Sequence, residues 1–216
     1  MTEGEQMAEA PRVICAGQLI EDFEDRVRRY CGLSWSGGEP ETWAYHYYDG
    51  VPTGVGGIEP IDVLACAAMH AGLSRAELTF FHRQKGAVED WLGALPDGLE
   101  LADADDAIIR HLARLAVFHS DQVPLSLLSK VLHRKRPSLI PLFDRDLADW
   151  YRPIINWRGV AAWPTIVVTL RSDLAHPDTR RVLTEIQGRL RAELPGPVPS
   201  HLRLVDIGIW MKPDRA

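Results

Sequence analysis

Apolar residues recur at spacings of three and four through most of this chain, and nearly every such run is closed by a glycine or a proline. That pattern specifies short amphipathic helices packed against one another and leaves little room for a sheet. The stretch 17–32, GQLIEDFEDRVRRYCG, sets Leu19, Phe23, Val27 and Tyr30 on one helical face and stops at Gly32. Residues 59–72, EPIDVLACAAMHAG, start at Pro60 and end at Gly72, and are apolar almost all round, which predicts a central buried helix. Ser74 and Glu77 read as a capping box that opens a helix through Phe80 and Phe81, with a separate short helix over 87–95. The acids that begin 103–120 favour a helix N-terminus, and Ile108, Ile109, Leu112, Leu115 and Ala116 form its stripe. Leu125, Leu128 and Leu132 share a face of the next helix. Residues 136–143, RPSLIPLF, must be extended or turned, because each proline disfavours helix in the residue before it.

The remainder follows the same logic. Asp144 opens a short helix, RDLADWYR. Residues 157–175 read as helix with a break near Pro164, although the β-branched run TIVVTL leaves strand open. Residues 177–194 are an amphipathic helix, PGPVPS a stiff connection, and 200–211 a closing helix with Leu202, Val205 and Ile209 inward. Only residues 32–58 lack a sustained period. Their glycines, prolines and aromatics predict a long ordered loop docked on the surface, with an extended piece over 43–48. The expected fold is mostly α: about eight to ten helices in a single compact multi-helix domain.

A chain of 216 residues suits one domain, and 46% hydrophobic residues with seven tryptophans can fill a sizeable core. The net charge of −6 gives no whole-molecule signal for nucleic acid, so any such contact must come from a local basic face. Cys15, Cys31 and Cys66 are odd in number and widely spaced, which fits reduced thiols in a cytoplasmic protein better than zinc or a disulfide framework. The polar, acidic start over 1–12 is expected to be a disordered tail and not a signal peptide, leaving 13–212 as the domain. No apolar run reaches membrane-spanning length. The eight histidines form no HxxxH or HExxH pair, and GVGG at 54–57 does not sit between a strand and a helix. Neither a metal nor another cofactor is expected.

Four groups of residues carry chemistry. Lys130, His133, Arg134, Lys135 and Arg136 crowd the end of one helix. They read either as a solvated, dipole-compensating terminus or as a phosphate-contacting face built by Lys130, Arg134, Lys135 and Arg136. Asp144 reads either as a helix N-cap or as a reactive carboxylate, since the positive end of a helix favours its ionised form. Asp206 lies among apolar residues and needs a partner. Arg203, three residues earlier, offers one, while the alternative is a second pocket carboxylate beside Asp144. Glu59 and Asp62 are ordinary helix-start acids. They are also placed to face a pocket with Tyr47, Tyr48 and Asp49, where aromatics beside carboxylates suit a flat polar ligand such as a base.

The order helix, basic residues, proline, short apolar run, proline, aspartate, helix over about 121–150 resembles the core of helix-hairpin-helix DNA glycosylases, including the 8-oxoguanine DNA glycosylase fold. That resemblance implies that Asp144 stabilises a sugar cation as a base departs. The chain resembles more closely an uncharacterised actinobacterial family, DUF6308, through SKVLHRKRPSLIPLFD and LRLVDIGIWM, and more loosely through YYDGVPTGVGGIEPIDVLA, together spanning about 45–211. It departs from the glycosylases where they carry a Gly-x-Gly hairpin that grips phosphate: HSDQVPLSL has no glycine and sets Asp121 and Gln122 at the turn. The position of their lysine nucleophile falls near Pro124, so no lyase activity is expected.

Two functions follow. One is a monofunctional N-glycosidase-like protein acting on or recognising a nucleobase in nucleic acid or a nucleoside, with Asp144 at the sugar cation and Tyr47, Tyr48 and Trp150 as stacking residues. The other is a non-catalytic helical module that binds a protein or small ligand. Whether Asp144 faces an open pocket or its own helix amides separates them.

Overall fold

The chain enters its fold as a hairpin, not as a helix. In the computed structural model, which describes residues 12–33, 44–54, 56–69, 72–120, 123–155 and 159–211, strand β1 (Val13–Cys15) pairs antiparallel with β2 (Gln18–Ile20). Ala16 and Gly17 both take positive φ, 56° and 71°, the two-residue turn whose twist matches the strands it joins. Val13, Cys15 and Ile20 are buried, while the cross-strand pair Ile14 and Leu19 faces out. Leu19 therefore does not belong to the helical stripe assigned to it from sequence, and helix α1 begins at Phe23 and ends at Tyr30. Apart from Arg12, the polar leader 1–12 lies outside the described residues, as does the Asp121–Gln122 turn.

The extended piece expected over 43–48 is instead a π-helical turn, Tyr45–Asp49. The reason is burial: Tyr45 and Tyr48 both go inside, and a spacing of three puts them on one side of a helical turn but on opposite faces of a strand. Helix α2 (Pro60–Ala65), prolonged as a 3₁₀ turn through Met69, is not buried all round, since Ile61 and Leu64 are exposed. The two helices expected over 74–95 are one, α3 (Arg75–Gly93), which runs through Gly86. A single glycine costs a helix only about 1 kcal/mol. The Ser74–Glu77 capping box that opens it is formed, with both reciprocal hydrogen bonds present.

Asp105 caps helix α4 (Asp106–Ala113), and α5 (Leu125–Lys135) leads into the turn set by Pro137 and Pro141. Helix α6 (Arg145–Trp150) follows, then α7 (Trp163–Ala175), α8 (Pro177–Glu193) and α9 (His201–Trp210). The ambiguous 157–171 segment is helical from Trp163 onward. Pro164 falls in the first turn, where its missing N–H is not needed, and burial of Ile166 and Val167 beside Leu170 overrides the preference of the two β-branched residues for strand.

Helix α9 holds the centre, packed against α1, α6 and α8, with Leu202 through Ile209 all buried. A Cβ at Gly208 would lie 2.5 Å from the Phe23 ring, so glycine there sets the close approach of α1 to α9. The fold is mostly helical, and the hairpin is its only sheet among the described residues. None of the described helices is long and apolar enough to cross a membrane.

Candidate functional site

The basic end of α5 is inside the protein. Lys130, His133, Arg134 and Lys135 are all buried, because the leucine face packs on one side while Tyr48–Gly54 and Asp62 lie against the other. A buried charge must be paired and hydrogen-bonded. Arg134 donates from Nε to Asp62 Oδ1 at 3.2 Å, and its terminal nitrogens donate to the carbonyls of Tyr48, Val51 and Pro52. Lys135 Nζ reaches Asp62 Oδ2 at 2.5 Å and the Gly54 carbonyl at 3.2 Å. Asp62, fully buried, also accepts from Thr53 Oγ1 at 2.9 Å and from the Glu59 amide at 2.8 Å. Burial alone would raise the Asp62 carboxyl, but the bonds from Lys135, Glu59 and Thr53 outweigh it and hold it below the usual carboxylate range.

These cations therefore staple the 48–62 segment to α5. Lys130, Arg134 and Lys135 are neither a solvated helix end nor an outward phosphate face. Lys130 Nζ donates to the Met69 carbonyl at 3.3 Å, and its own carbonyl accepts from the Tyr48 hydroxyl at 2.7 Å. Arg136, half-buried at the helix end, pairs with Asp97 at 2.7 Å.

A second set of charges comes from α9. Arg203 grips Asp49 with two nitrogens, Nε to Oδ1 at 2.9 Å and an η nitrogen to Oδ2 at 3.0 Å, and also contacts Asp206 and the Tyr30 hydroxyl. Its guanidinium lies 5.1 Å from the Tyr30 ring centroid and 5.3 Å from that of Tyr48. Burial disfavours its charge, yet Asp49, Tyr30 and Asp206 together hold it well above the ordinary arginine value. Asp206 behaves differently. Burial pushes its carboxyl up to about 7; Arg203 pulls it down, while the nearby charge of Asp144 pushes it further up. Arg203 thus spends its charge chiefly on Asp49. The pairing of Asp206 with Arg203, read from their spacing, is present, and Asp144 is near enough for its charge to act on Asp206.

His133 sits between the two sets. Its ring stacks on Tyr48 with centroids 6.3 Å apart and planes 15° from parallel. Burial, then the charge of Arg203, depress its pKa to about 4, so the imidazole is neutral near pH 7. Nδ1 lies 2.7 Å from the Ile140 carbonyl, which can only accept, so Nδ1 carries the proton. Nε2 is then a bare acceptor, buried and without a hydrogen-bond partner. His133 contributes to the wall of a cleft of about 410 Å³, together with Tyr48, Asp49, Val51, Arg134 and Pro197. A second cleft of about 380 Å³ lies on the other side of Gly50 and Pro197, walled by Cys31, Leu33, Tyr45 and His46.

The other residues singled out from sequence lie as follows. Asp144, half-buried, caps α6 by accepting from the Leu147 amide at 2.9 Å, so its carboxylate faces its own helix. Tyr47 is exposed. Tyr48 is buried with its hydroxyl bonded inward, which removes it as an open stacking platform. Trp150 donates from Nε1 to the Cys15 carbonyl at 3.0 Å and pins the hairpin rather than facing a ligand. No group of three or more metal-binding side chains occurs among the described residues. All three cysteines are free thiols, and burial raises each of them. Sequence reasoning missed the Arg203–Asp49 clamp, the Tyr30 hydroxyl and the orphan nitrogen of His133. The signal for the clamp was an arginine on an apolar helix, which must find a carboxylate somewhere.

The three stretches that meet here, 45–62, 129–144 and 202–211, lie within one family match. A family model described as a family of unknown function (DUF6308) matches residues 23–213. No curated protein matches the chain, and no solved structure does.

Proposed function

We propose that this chain, which belongs to the DUF6308 family, is a helical module that binds a small ligand in the cleft walled by Tyr48, Asp49, Val51, His133, Arg134 and Pro197. The observation that carries this reading is where the charges are. Arg134, Lys135, Arg203, Asp49, Asp62 and Asp206 come from three distant segments and are spent in the interior directly behind one cleft. A well-packed apolar interior of the same volume is often as stable or more so, so stability alone gives little reason for such a network. Its effect is to fix the 48–54 backbone, and a rigid polar wall is what a ligand site needs. The cleft volume suits a small molecule. With α5's cations committed inside and the chain net acidic, nucleic acid is the weaker partner. Three free, buried thiols fit a reducing, cytoplasmic compartment.

Thermal-shift measurement over a panel of uncharged heterocycles, nucleosides, nucleotides and carboxylates tests this. Val51→Trp, which fills the cleft from a half-buried position, serves as the control. Stabilisation by at least one member, abolished in Val51→Trp, is expected. Stabilisation unchanged in Val51→Trp would place the ligand elsewhere and end this reading.

A second reading keeps the N-glycosidase chemistry and the likeness to the helix-hairpin-helix glycosylase fold. One observation favours it: the charge of Asp144 acts on Asp206, whose carboxyl burial raises to about 7, as a general acid's is raised. Release of free base from nucleosides or DNA, lost in Asp144→Asn, would support it. In the binding reading Asp144→Asn changes no function and keeps the helix cap, since an Asn side chain accepts from the Leu147 amide as Asp does.

A further inference from the structure

We infer that the proton on Asp206 sets how tightly the cleft wall is held. With the proton on, Arg203 is committed to Asp49; with it off, two carboxylates compete for one guanidinium and the Tyr45–Asp49 turn loosens. This concerns the wall itself and goes beyond the ligand reading, since it holds for the empty cleft.

One cation serves two acids. Arg203 donates to Asp49 from Nε at 2.9 Å and from one η nitrogen at 3.0 Å, and its other η nitrogen donates to Asp206. The two carboxylates are tethered differently. Asp206 lies one turn along α9 from Arg203 and stays beside it whatever its charge. Asp49 ends the π-helical turn, reaches Arg203 from 154 positions away, and stands on the cleft wall. The Tyr30 hydroxyl, which also donates to Asp49, is itself held by Arg203. Weakening the hold of Arg203 on Asp49 therefore leaves α9 intact and frees the wall.

The charges that surround Asp206 come from every side. Beside Arg203, Lys130 of α5 favours its ionised form, while Asp144 at the start of α6 and Asp49 on the turn oppose it. From α1, Tyr30 feels the Asp206 charge and Arg26 donates to the Gly208 carbonyl of α9; Asp146 is buried in the first turn of α6. Helix α8 meets α9 through Thr184 at His201 and Gln187 at the Pro199 carbonyl. Burial holds the Asp206 carboxyl up at about 7, so its proton leaves near neutrality, where His133, at about 4, is already neutral. Coupling of this kind is reciprocal: where ionising Asp206 weakens the Asp49 pair, removing Asp49 makes Asp206 easier to ionise.

Hydrogen exchange of the ligand-free full chain at about pH 6 and about pH 8.5, corrected for the pH dependence of exchange in an unstructured chain, tests this. Protection of the Gly50 amide, which donates to the Tyr45 carbonyl at 2.6 Å, is expected to fall about fivefold or more in the wild type and to hold constant in Asp206→Asn. Amides of α7 serve as the reference for global opening. His46, exposed on the same turn, is present in both proteins, so the comparison cancels it. Asp206→Asn is expected to fold, because Asn resembles the protonated acid. Should it not fold, His46→Gln decides: there the Gly50 amide resonance must follow the Asp206 carboxyl carbon through one midpoint, and a Gly50 resonance that stays still would overturn the inference. Protection that does not fall with pH, that falls equally in Asp206→Asn, or that falls by the same factor in α7 would also overturn it. So would an Asp206 midpoint that does not drop in Asp49→Asn.

Discussion

Two halves of this protein use the same residue types in opposite ways. Around α7 and α8 the interior is apolar, with Ile166, Val167, Leu170, Val182, Leu183 and Ile186 all buried. The ion pairs of that half stand outside, as Arg180 with Asp103 at 2.8 Å, Arg181 with Glu185 at 3.1 Å and Arg189 with Glu24 at 2.7 Å, while Asp173 turns partly inward to the Ala16 amide and the Tyr151 hydroxyl. Around α5 and α9 the charges are inside: the pair Arg134–Asp62 is closed off from water, and in Arg203–Asp49 the arginine is buried while the carboxylate reaches the cleft wall. The distances are similar; the surroundings are not. An exposed pair is screened and contributes little, whereas a buried pair contributes little in sum but makes either member very costly to remove. The first half is held together by apolar contact. The second is held in register, at the expense of desolvating several ions, and a cleft opens on it.

The sharpest way to break this contrast is Asp62→Ala, which strands both Arg134 and Lys135 in the interior. Urea unfolding is expected to show a loss of about 3–5 kcal/mol. A loss below about 1 kcal/mol would mean that the interior pairs behave like surface ones.

The next test is pH. Asp206, raised to about 7, keeps a proton in the folded protein between about pH 4 and 7 that the unfolded chain has lost, so its contribution to stability falls as pH rises through that window. His133, lowered to about 4, does the reverse: the unfolded chain holds the extra proton up to about 6.5, and stability rises with pH. The two oppose each other. Relative to Asp206→Asn, the wild-type protein is expected to lose stability from pH 4 to 7, by at most about 1.4 kcal/mol per pH unit, and then level off. Relative to His133→Phe it is expected to gain stability from pH 4 to 6.5. Differences that do not vary with pH would contradict both assignments.

The smallest effect is expected in the other half. Arg180→Ala removes an exposed pair, with a cost under about 1 kcal/mol that salt reduces further.

Helix positions were legible because their periodicity and caps are local. The Ser74 box, the acids that open α4, the Asp144 cap and the α8 stripe all depend on residues a few positions apart. The hairpin at 13–20 escaped because its three-residue strands are too short to establish a period of two, even though Ala16–Gly17 marks the turn. At the candidate site, the residue types were legible and their direction was not. Lys130, Arg134 and Lys135 look like a surface stripe until the 45–62 segment is laid over them, a contact made across more than 70 positions of sequence. Asp206 found the arginine one turn away that local spacing suggested. Asp49 found the same arginine from 154 positions away, which no local rule can supply.

The most direct test of the central claim, that this interior holds a neutral histidine whose second ring nitrogen is buried and unpaired, is ¹⁵N NMR of the His133 imidazole in the ligand-free protein from pH 5.5 to 8. The expected result is a protonated Nδ1 and an unprotonated Nε2 across the whole range. An imidazole that titrates near 6.5, with both nitrogens protonated below that pH, would contradict it.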